Sequence, residues 1–259
     1  MERKPTCSGP TVFGKPNQRS AAVACVASVE GGREAWPTPS HVALAVVLQV
    51  RAGVLSVLLW HRAEEPAAGL WSTPGGYLAP GETLESSIRR HLAAKVDVQD
   101  LSHIEQLETR SDPARNPVEW QLATTYLGLV PSDVDPTLPL DTSWHSVDQL
   151  PAAAFDHGEI VLTGRDRLRA KLSYTNIGFA LAPEKFTMSE LRELYVAALG
   201  HSVSPTNLQR ILLRRRLLEE TGARRESGPS GGRPASLFCF RVRALEVTDP
   251  FAVLRPPEG

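Results

Sequence analysis

The apolar positions near the start of the chain predict a β-hairpin. The run HVALAVVLQV begins at His41, and the run VLSVLLWHR follows after a turn at Ala52 and Gly53. Both runs are rich in Val and Leu and have the length of strands, and the turn between them contains Gly. Two further strands are predicted over residues 103–108 and 119–129.

A helix is predicted between these two pairs of strands. It follows the turn at Pro80 and Gly81, and Thr83 is suited to cap its N-terminus. Because strands interleaved with a capped helix pack in layers, this half of the chain is predicted to be an α+β or α/β domain. The apolar positions of the helix recur every four residues and form one stripe: Leu84, Ile88, Leu92 and Val96.

Two shorter amphipathic helices are predicted in the last third of the chain. The segment TMSE, which begins at Thr187, fits a capping box, and the helix that it starts ends at Gly200. Ser204 or Thr206 caps the second helix, and Pro205 suits its first turn. Two short helices joined by a brief turn that contains Gly are typical of a helix-turn-helix. The outward face of the second helix presents Thr206, Gln209, Arg210 and Arg214.

A second pair of strands is predicted after the helix-turn-helix. The segments LLEE, from Leu217, and ASLFCFRV, from Ala235, flank the tip TGARRESGPSGGRP. A helix-turn-helix followed by such a hairpin is typical of a winged helix, in which the second helix enters the major groove and the wing meets the DNA backbone. The Gly- and Ser-rich tip carries three arginines: Arg224, Arg225 and Arg233.

The distribution of charge supports a polyanion partner for this part alone. The formal net charge of the chain is −1, yet residues 165–243 hold 15 Lys and Arg against 7 Asp and Glu. Caps, turn, wing and charge together favour double-stranded DNA over the alternative, an Arg-rich helical appendage for protein contacts. We therefore expect base and phosphate contacts from eight residues: Thr206, Asn207, Gln209, Arg210, Arg214, Arg224, Arg225 and Arg233.

Length and composition narrow the class of protein further. A chain of 259 residues with 42% hydrophobic residues is long enough for two modest domains. No apolar stretch is long enough to span a bilayer, and the N-terminus lacks the pattern of a secretion signal, so a cytoplasmic protein without membrane association is expected. Three scattered cysteines, Cys7, Cys25 and Cys239, indicate free thiols rather than a zinc site. Residues 1–38 show no sustained periodicity and are predicted to be disordered.

The predicted turn and helix from Gly76 resemble the Nudix box. The family pattern, G-x5-E-x7-R-E-U-x-E-E-x-G-U with U aliphatic, is matched at Gly76, Glu82, Arg90, Leu92 and Val98. In that family the acids after the Arg hold Mg²⁺ on a nucleoside diphosphate. Mg²⁺ needs carboxylate oxygens, and this chain has none at the positions of those acids, so we expect neither a metal site nor a catalytic residue. The positions of those acids are occupied here by His91, Ala94 and Lys95.

A Nudix frame without metal can still bind a nucleotide. The resemblance to the family implies that the positive charges of Arg90 and Lys95 take the place of the metal ion beside a diphosphate. The expected effector site consists of Gly76, Glu82, Arg90 and Lys95. The alternative is that Arg90 forms an internal salt bridge with Glu82 or Glu85 and that Lys95 points into solvent. Further along, Asp156 is predicted to cap a helix over residues 157–172, and His157 is interpreted as a structural hydrogen-bonding residue.

The whole arrangement resembles the Nudix-related transcriptional regulators of NAD metabolism. The fold implied is α+β: a Nudix-like α/β/α sandwich followed by a C-terminal winged helix-turn-helix. The expected boundaries are a disordered segment at 1–38, a Nudix-like domain at 39–156, a connecting helix and linker at 157–182, a winged helix at 183–245 and a tail at 246–259.

The resemblance also implies a function. It indicates a homodimeric repressor of genes for NAD biosynthesis or salvage, which binds a palindromic operator, uses no cofactor and responds to ADP-ribose or a related NAD metabolite. The competing hypothesis is an ADP-ribose pyrophosphatase of the Nudix class with an accessory basic domain, which uses Glu82, Glu85 and a substitute ligand from a loop.

Overall fold

The computed structural model of the chain describes residues 38–95, 101–225 and 234–249. The first part is a mixed seven-stranded sheet with one helix on each face. Its elements are β1 (Ser40–Arg51), β2 (Val54–His61), β3 (Trp71–Ser72), β4 (Gly75–Tyr77), α1 (Leu84–Lys95), β5 (His103–Arg110), β6 (Gln121–Leu129), β7 (Thr142–Ser146) and α2 (His157–Tyr174).

The predicted hairpin is confirmed and forms the centre of the sheet. Strands β1 and β2 pair antiparallel, with Leu48 opposite Val57, and β1 also pairs in parallel with β6 along nine residues. The central strand order is β3-β2-β1-β6-β5, while β4 pairs with β1 and β7 pairs with β2. Because β4 joins β1 just before α1, the Nudix-like turn lies at one end of the central strand.

Alternate residues of β1 divide the core into two layers. Val42, Leu44 and Val46 belong to the apolar cluster that includes α2, whereas Ala43 and Ala45 belong to the cluster that includes α1. The predicted α/β/α sandwich is therefore confirmed. Helix α2 lies close to the sheet: a side chain in place of Gly164 would lie 2.7 Å from a methyl carbon of Val46.

The winged helix follows a 3₁₀ turn at Ile177–Ala180. The predicted capping box is confirmed, because Thr187 and Glu190 each accept a backbone hydrogen bond from the other, and the helix ends at Gly200 with φ +76°. Ser204, rather than Thr206, caps the second helix. The elements are α3 (Met188–Leu199), α4 (Pro205–Arg214), β8 (Leu218–Arg225) and β9 (Ala235–Phe240).

The predicted wing hairpin is confirmed, but its first strand is longer than expected. Arg224 and Arg225, which the sequence predicts in a flexible tip, lie on β8 opposite Ser236 and Ala235. A register shift between Glu220 and Arg224 lets β8 continue through polar residues that show no apolar alternation. The part of the predicted tip from 226 to 233, with Arg233, lies outside the described residues.

The segment after β9 folds back onto the end of α2. The side chain of Asn176 donates to the carbonyls of Val242 and Ala244 and accepts from the backbone N–H of Glu246. Arg243 donates to the carbonyls of Phe179, Ala182 and Pro183, in and just after the 3₁₀ turn, and Arg215 pairs with Asp249 at 3.0 Å. We call this set of contacts the brace. It holds the winged helix at its exit as well as at its entry.

Helix α3 also packs directly on α2. Leu191 and Leu194 share one apolar cluster with Leu168. The Nε of Arg169 donates to the carbonyl of Ala198 at 3.2 Å, near the C-terminus of α3. Among the described residues, no helix is both long and apolar enough to cross a bilayer.

Candidate effector cleft and nucleic-acid interface

Glu82 and Arg90, both expected at the effector site, bind each other. The Nε of Arg90 donates to Oε1 of Glu82 at 2.8 Å and its Nη2 donates to Oε2 at 2.7 Å. The same Nη2 donates to the carbonyl of Tyr77 at 3.2 Å. Hydrogen bonding from Arg90 lowers the pKa of Glu82 to about 2. Of the two alternatives for Arg90, the structure has the internal salt bridge, which ties the turn before α1 to the helix.

His91 fills the position of the first metal-binding acid. Its ring is buried, and its Nε2 lies 3.0 Å from the carbonyl of Tyr77. A side chain in place of Gly76 would lie 2.4 Å from Cε1 of His91, so a larger residue here would have to displace the buried imidazole. The imidazole therefore packs α1 against β4 at the place where the family places a carboxylate.

The remaining box positions do not suit a hard cation either. Ala94 is exposed and has no oxygen, and Lys95 ends α1, with a side chain outside the described part of the structure. Within residues 38–95, 101–225 and 234–249, no group of three or more His, Cys, Asp and Glu side chains is placed to hold a metal ion. These residues do not fit Mg²⁺ at the box.

A cleft of about 520 Å³ lies beside the box rather than on it. It opens between β4, the loop after β2 and the start of α2. Gly76 lines it, but Glu82 and Arg90 do not. Its size suits a small-molecule ligand. The lining side chains that bear on ligand chemistry are Trp60, Arg62, Ser72, Asn116, Gln121 and Phe155.

Arg62 is the cation at the aromatic wall of the cleft. Its guanidinium carbon lies 5.8 Å from the ring centroid of Trp60 and 5.4 Å from that of Phe155. Its Nε donates to the carbonyl of Pro66 at 3.0 Å, and it has no acidic partner among the described residues. The Oγ of Ser72 is buried and lacks a hydrogen-bond partner within the same residues. A cation, an unsatisfied hydroxyl and aromatic faces together suit a nucleotide-like ligand.

Histidine 157 and Asp156 border this cleft in structural roles. His157 is buried; its Nδ1 accepts from the backbone N–H of Thr73 at 3.0 Å, and burial lowers its pKa to about 4. Its interpretation as a structural hydrogen-bonding residue is confirmed. Asp156 is the N-cap residue of α2, as predicted, but its side chain makes no capping bond and instead accepts from Arg115 at 2.8 Å.

Arg115 links Asp156 to a chain of hydrogen bonds along the wall of the cleft. It is buried, and its Nη1 donates to Oε1 of Gln121 at 2.9 Å. Gln121 in turn donates to Glu119, which also accepts from the hydroxyl of Tyr77 at 2.6 Å. The hydrogen bond with Glu119 raises the pKa of Tyr77. The amide of Gln121 is therefore fixed in orientation before any ligand enters.

The five residues expected to contact DNA on α4 are brought together on its exposed side. Thr206, Asn207, Gln209, Arg210 and Arg214 are all exposed, while Leu208 and Leu212 face the core. Arg210 donates from Nη2 to Oδ1 of Asn207 at 2.7 Å. Neither Arg210 nor Arg214 has an ion pair with an acid in the described part of the chain. This side of the helix is therefore cationic and free for a partner.

The wing arginines differ from one another. Arg224 is exposed without an acidic partner among the described residues, whereas Arg225 pairs with Glu190 of the capping box. Two further exposed arginines of the winged helix, Arg216 and Arg241, also lack acidic partners in those residues. The sequence reasoning missed these two because their exposure depends on how the segments flanking the hairpin pack.

Arg62 was also not predicted from the sequence as a candidate site residue. The signal available was a Trp and an Arg two residues apart at the end of a strand, ahead of a loop with two Glu and a Pro. That signal does not show that Phe155, from a distant segment, lies opposite the guanidinium.

The sandwich with a Gly76–Glu82–Arg90 frame and the helix-turn-helix with its hairpin define a Nudix domain joined to a winged helix. A model of the NUDIX domain matches residues 39–163, and a model of the NrtR DNA-binding winged helix domain matches residues 178–240. The crystal structure of Shewanella oneidensis NrtR complexed with a 27mer DNA is 32% identical and superimposes with a TM-score of 0.66. The match covers 77% of this chain and 93% of that chain.

A second structure of the same Shewanella protein and one further relative agree with this match. The structure of Shewanella oneidensis NrtR is 30% identical, with a TM-score of 0.68, over 78% of this chain and 94% of that one. The ADPR responsive transcriptional repressor NtrR of Acinetobacter baylyi is 27% identical over 222 residues, which is 83% of this chain and 87% of the relative. The chain belongs to the NrtR family, and the resemblance seen in the sequence is confirmed.

Proposed function

We propose that the chain is a transcriptional repressor that binds double-stranded DNA through α4 and the wing. The observation that carries this proposal is the cationic side of α4, where Arg210 and Arg214 are exposed and have no acidic partner among the described residues. Such a surface attracts phosphates and places side chains at base edges once the helix is in the major groove. The repressor named among the relatives and the DNA-bound structure of another support the same assignment.

The repressor acts as a homodimer on a palindromic operator. One winged helix contacts a short half-site, and two-fold symmetry doubles the number of bases that are read. The resemblance to regulators of NAD metabolism supports genes of NAD biosynthesis or salvage as targets.

The Nudix domain acts as a sensor and uses no cofactor. ADP-ribose, to which the Acinetobacter relative is responsive by its name, has an adenine ring for the aromatic wall of the cleft and a diphosphate for Arg62. In this proposal Gly76 forms part of the cleft wall, and the Glu82–Arg90 pair holds the turn that carries it. Hydrolysis through the box is not part of the function, because His91 and Ala94 offer no carboxylate to a metal.

Helix α2 couples the cleft to the winged helix. It begins at His157 beside the cleft and ends at Tyr174, whose carbonyl accepts from the backbone of Thr248, in the same segment that forms the brace. Its 18 residues span about 27 Å. An effector changes DNA affinity only if it binds one arrangement of this helix better than another.

The DNA part of the proposal is tested by fluorescence anisotropy of labelled duplexes with the full chain. Duplexes from upstream of NAD-biosynthesis genes are compared with scrambled duplexes at two salt concentrations. Tight and selective binding that weakens as salt rises is the expected result. Equal, weak binding to both duplexes would contradict it.

The sensor part is tested by adding ADP-ribose to the DNA complex. The expected result is a change in DNA affinity for wild type and for R89A, whose arginine lies on α1 outside the cleft, and a much smaller change for R62A. If R62A responds as wild type does, the cleft is not the effector site. Release of AMP from ADP-ribose with Mg²⁺ at an ordinary enzyme rate would instead favour the pyrophosphatase hypothesis.

A further inference from the structure

The hydrogen bond between Arg210 and Asn207 fixes how α4 presents its donors. Both residues are exposed and lie three apart, so their side chains are neighbours on the helix surface. The backbone N–H of Asn207 is itself directed at Oγ of Ser204, the cap, at 3.4 Å. The pair is therefore anchored in the first turn of the helix, where a helix-turn-helix protein contacts bases.

This hydrogen bond changes what Asn207 can recognise. A free asparagine reads adenine, because its oxygen accepts from the N6 amino group while its NH₂ donates to N7. Here Oδ1 already accepts from Arg210. Oδ1 keeps one lone pair, but Arg210 sets its orientation, and the other groups that remain are donors: the NH₂ of Asn207 and the other N–H groups of the guanidinium.

The donors of this pair match guanine. In the major groove guanine presents two acceptors, N7 and O6, whereas adenine presents a donor beside N7. No acid among the described residues competes for the guanidinium of Arg210. Arg214, one turn later, has no side-chain partner in those residues, so nothing fixes its orientation as Asn207 fixes that of Arg210.

We propose that Asn207 is a positioning residue that orients Arg210, so that the pair selects a guanine in each half-site. This inference rests on the proposed function, since it requires α4 to lie in the major groove. It separates two roles on the same helix. Arg210 with Asn207 gives selectivity for a base, and Arg214 contributes affinity through phosphate.

The experiment begins with selection of duplexes from a randomised library by the full wild-type chain. Affinities are then measured for the selected duplex and for duplexes in which each guanine in turn is replaced by adenine or by 7-deazaguanine, which lacks the N7 acceptor. The variants are R210A, N207A and N207D, with R214A and Q209A as controls on the same helix, and thermal unfolding confirms that each folds.

The expected result is a loss of discrimination at one guanine of each half-site. R210A loses it by about tenfold, and N207A weakens it at the same position with an unchanged salt dependence. N207D, whose carboxylate still accepts from Arg210, keeps the preference but binds all duplexes more weakly. R214A lowers affinity for all duplexes and keeps the preference, and Q209A keeps the preference at that guanine.

Two results would overturn the inference, and they are distinguishable. If wild type selects a motif and N207A retains the full guanine preference, the positioning role is wrong while the proposed function stands. If wild type selects no motif at all, the proposed function and the inference fail together.

Discussion

Helices α1 and α4 both carry neighbouring arginines, but the arginines differ in their partners. On α1, Arg89 binds Glu85 at 3.0 Å and Arg90 binds Glu82 at 2.7 Å. On α4, Arg210 and Arg214 have no acidic partner among the described residues. A neutralised guanidinium supports local structure, whereas an exposed one without a counter-charge is available to a polyanion. For these two helices, the partners of the arginines therefore distinguish the Nudix frame from the DNA-binding surface.

The largest effect on DNA binding is expected when the charge of α4 is reversed. We expect R210E/R214E to lose more than about 100-fold in affinity for the selected duplex, because two cations become two anions facing phosphate. Both side chains are exposed, so the melting temperature should stay close to that of wild type. Anisotropy titrations and thermal unfolding measure the two quantities.

The matched control exchanges the charges of a pair on α1. E85R/R89E keeps an ion pair at the same positions with its direction reversed, and it should bind DNA as wild type does. An equal loss in this control would mean that total charge, rather than the surface of α4, determines DNA binding.

A smaller effect is expected when α4 is given the acid that α1 already has. T206E places a carboxylate four residues before Arg210, which copies the spacing of Glu85 and Arg89. The new pair competes with DNA for the guanidinium, so affinity should fall about tenfold, while T206Q, of the same shape but neutral, loses less. Similar losses in the two variants would show that the threonine itself, rather than the free charge, is what DNA requires.

Much of this architecture was predictable because its causes are local in the sequence. The runs around Ala52 and Gly53 fix the hairpin, and the TMSE segment fixes the start of α3. The exposed face of α4 follows from the position of Leu208 and Leu212 within one helix. In each case the residues that determine the structure are within a few positions of one another.

The predictions that were wrong or incomplete depend on distant partners. Asp156 has a sequence suited to a cap, but Arg115, 41 residues earlier, binds its carboxylate instead. The cleft brings together Arg62 and Phe155, which lie in separate segments, and neither was predicted to form a site. Helical and strand periodicity carries no information about which of these segments meet, so the cleft required the structure.

The contribution of the Glu82–Arg90 pair to the stability of the fold should depend on pH. Because Arg90 lowers the pKa of Glu82 to about 2, below its ordinary value of 4.5, the pair stabilises the fold fully above pH 4.5. That contribution is lost as the pH falls towards 2. We expect E82Q to lower the melting temperature at neutral pH and to flatten its decline over this range.

A double-variant comparison isolates the pair from other acids. R90A should also flatten the decline of the melting temperature at low pH. E82Q/R90A should lower the melting temperature no further than either single variant does. Additive effects of the two substitutions would mean that Glu82 is stabilised by other contacts, such as the backbone N–H of Ala79 at 3.1 Å.

The smallest expected effect comes from freeing a cation on α1. E85A leaves Arg89 exposed without its partner, so that in charge it resembles Arg214 of α4. An exposed pair of this spacing contributes about 0.3–0.5 kcal/mol, and the melting temperature should change by no more than about 2 °C. If a free charge were sufficient for DNA binding, E85A would bind more tightly than wild type. We expect no change in DNA affinity, because α1 packs on the sheet and is not part of a helix-turn-helix, the motif that places a side chain in a groove. If E85A bound scrambled duplex more tightly than wild type, the winged helix would be only one cationic surface among several.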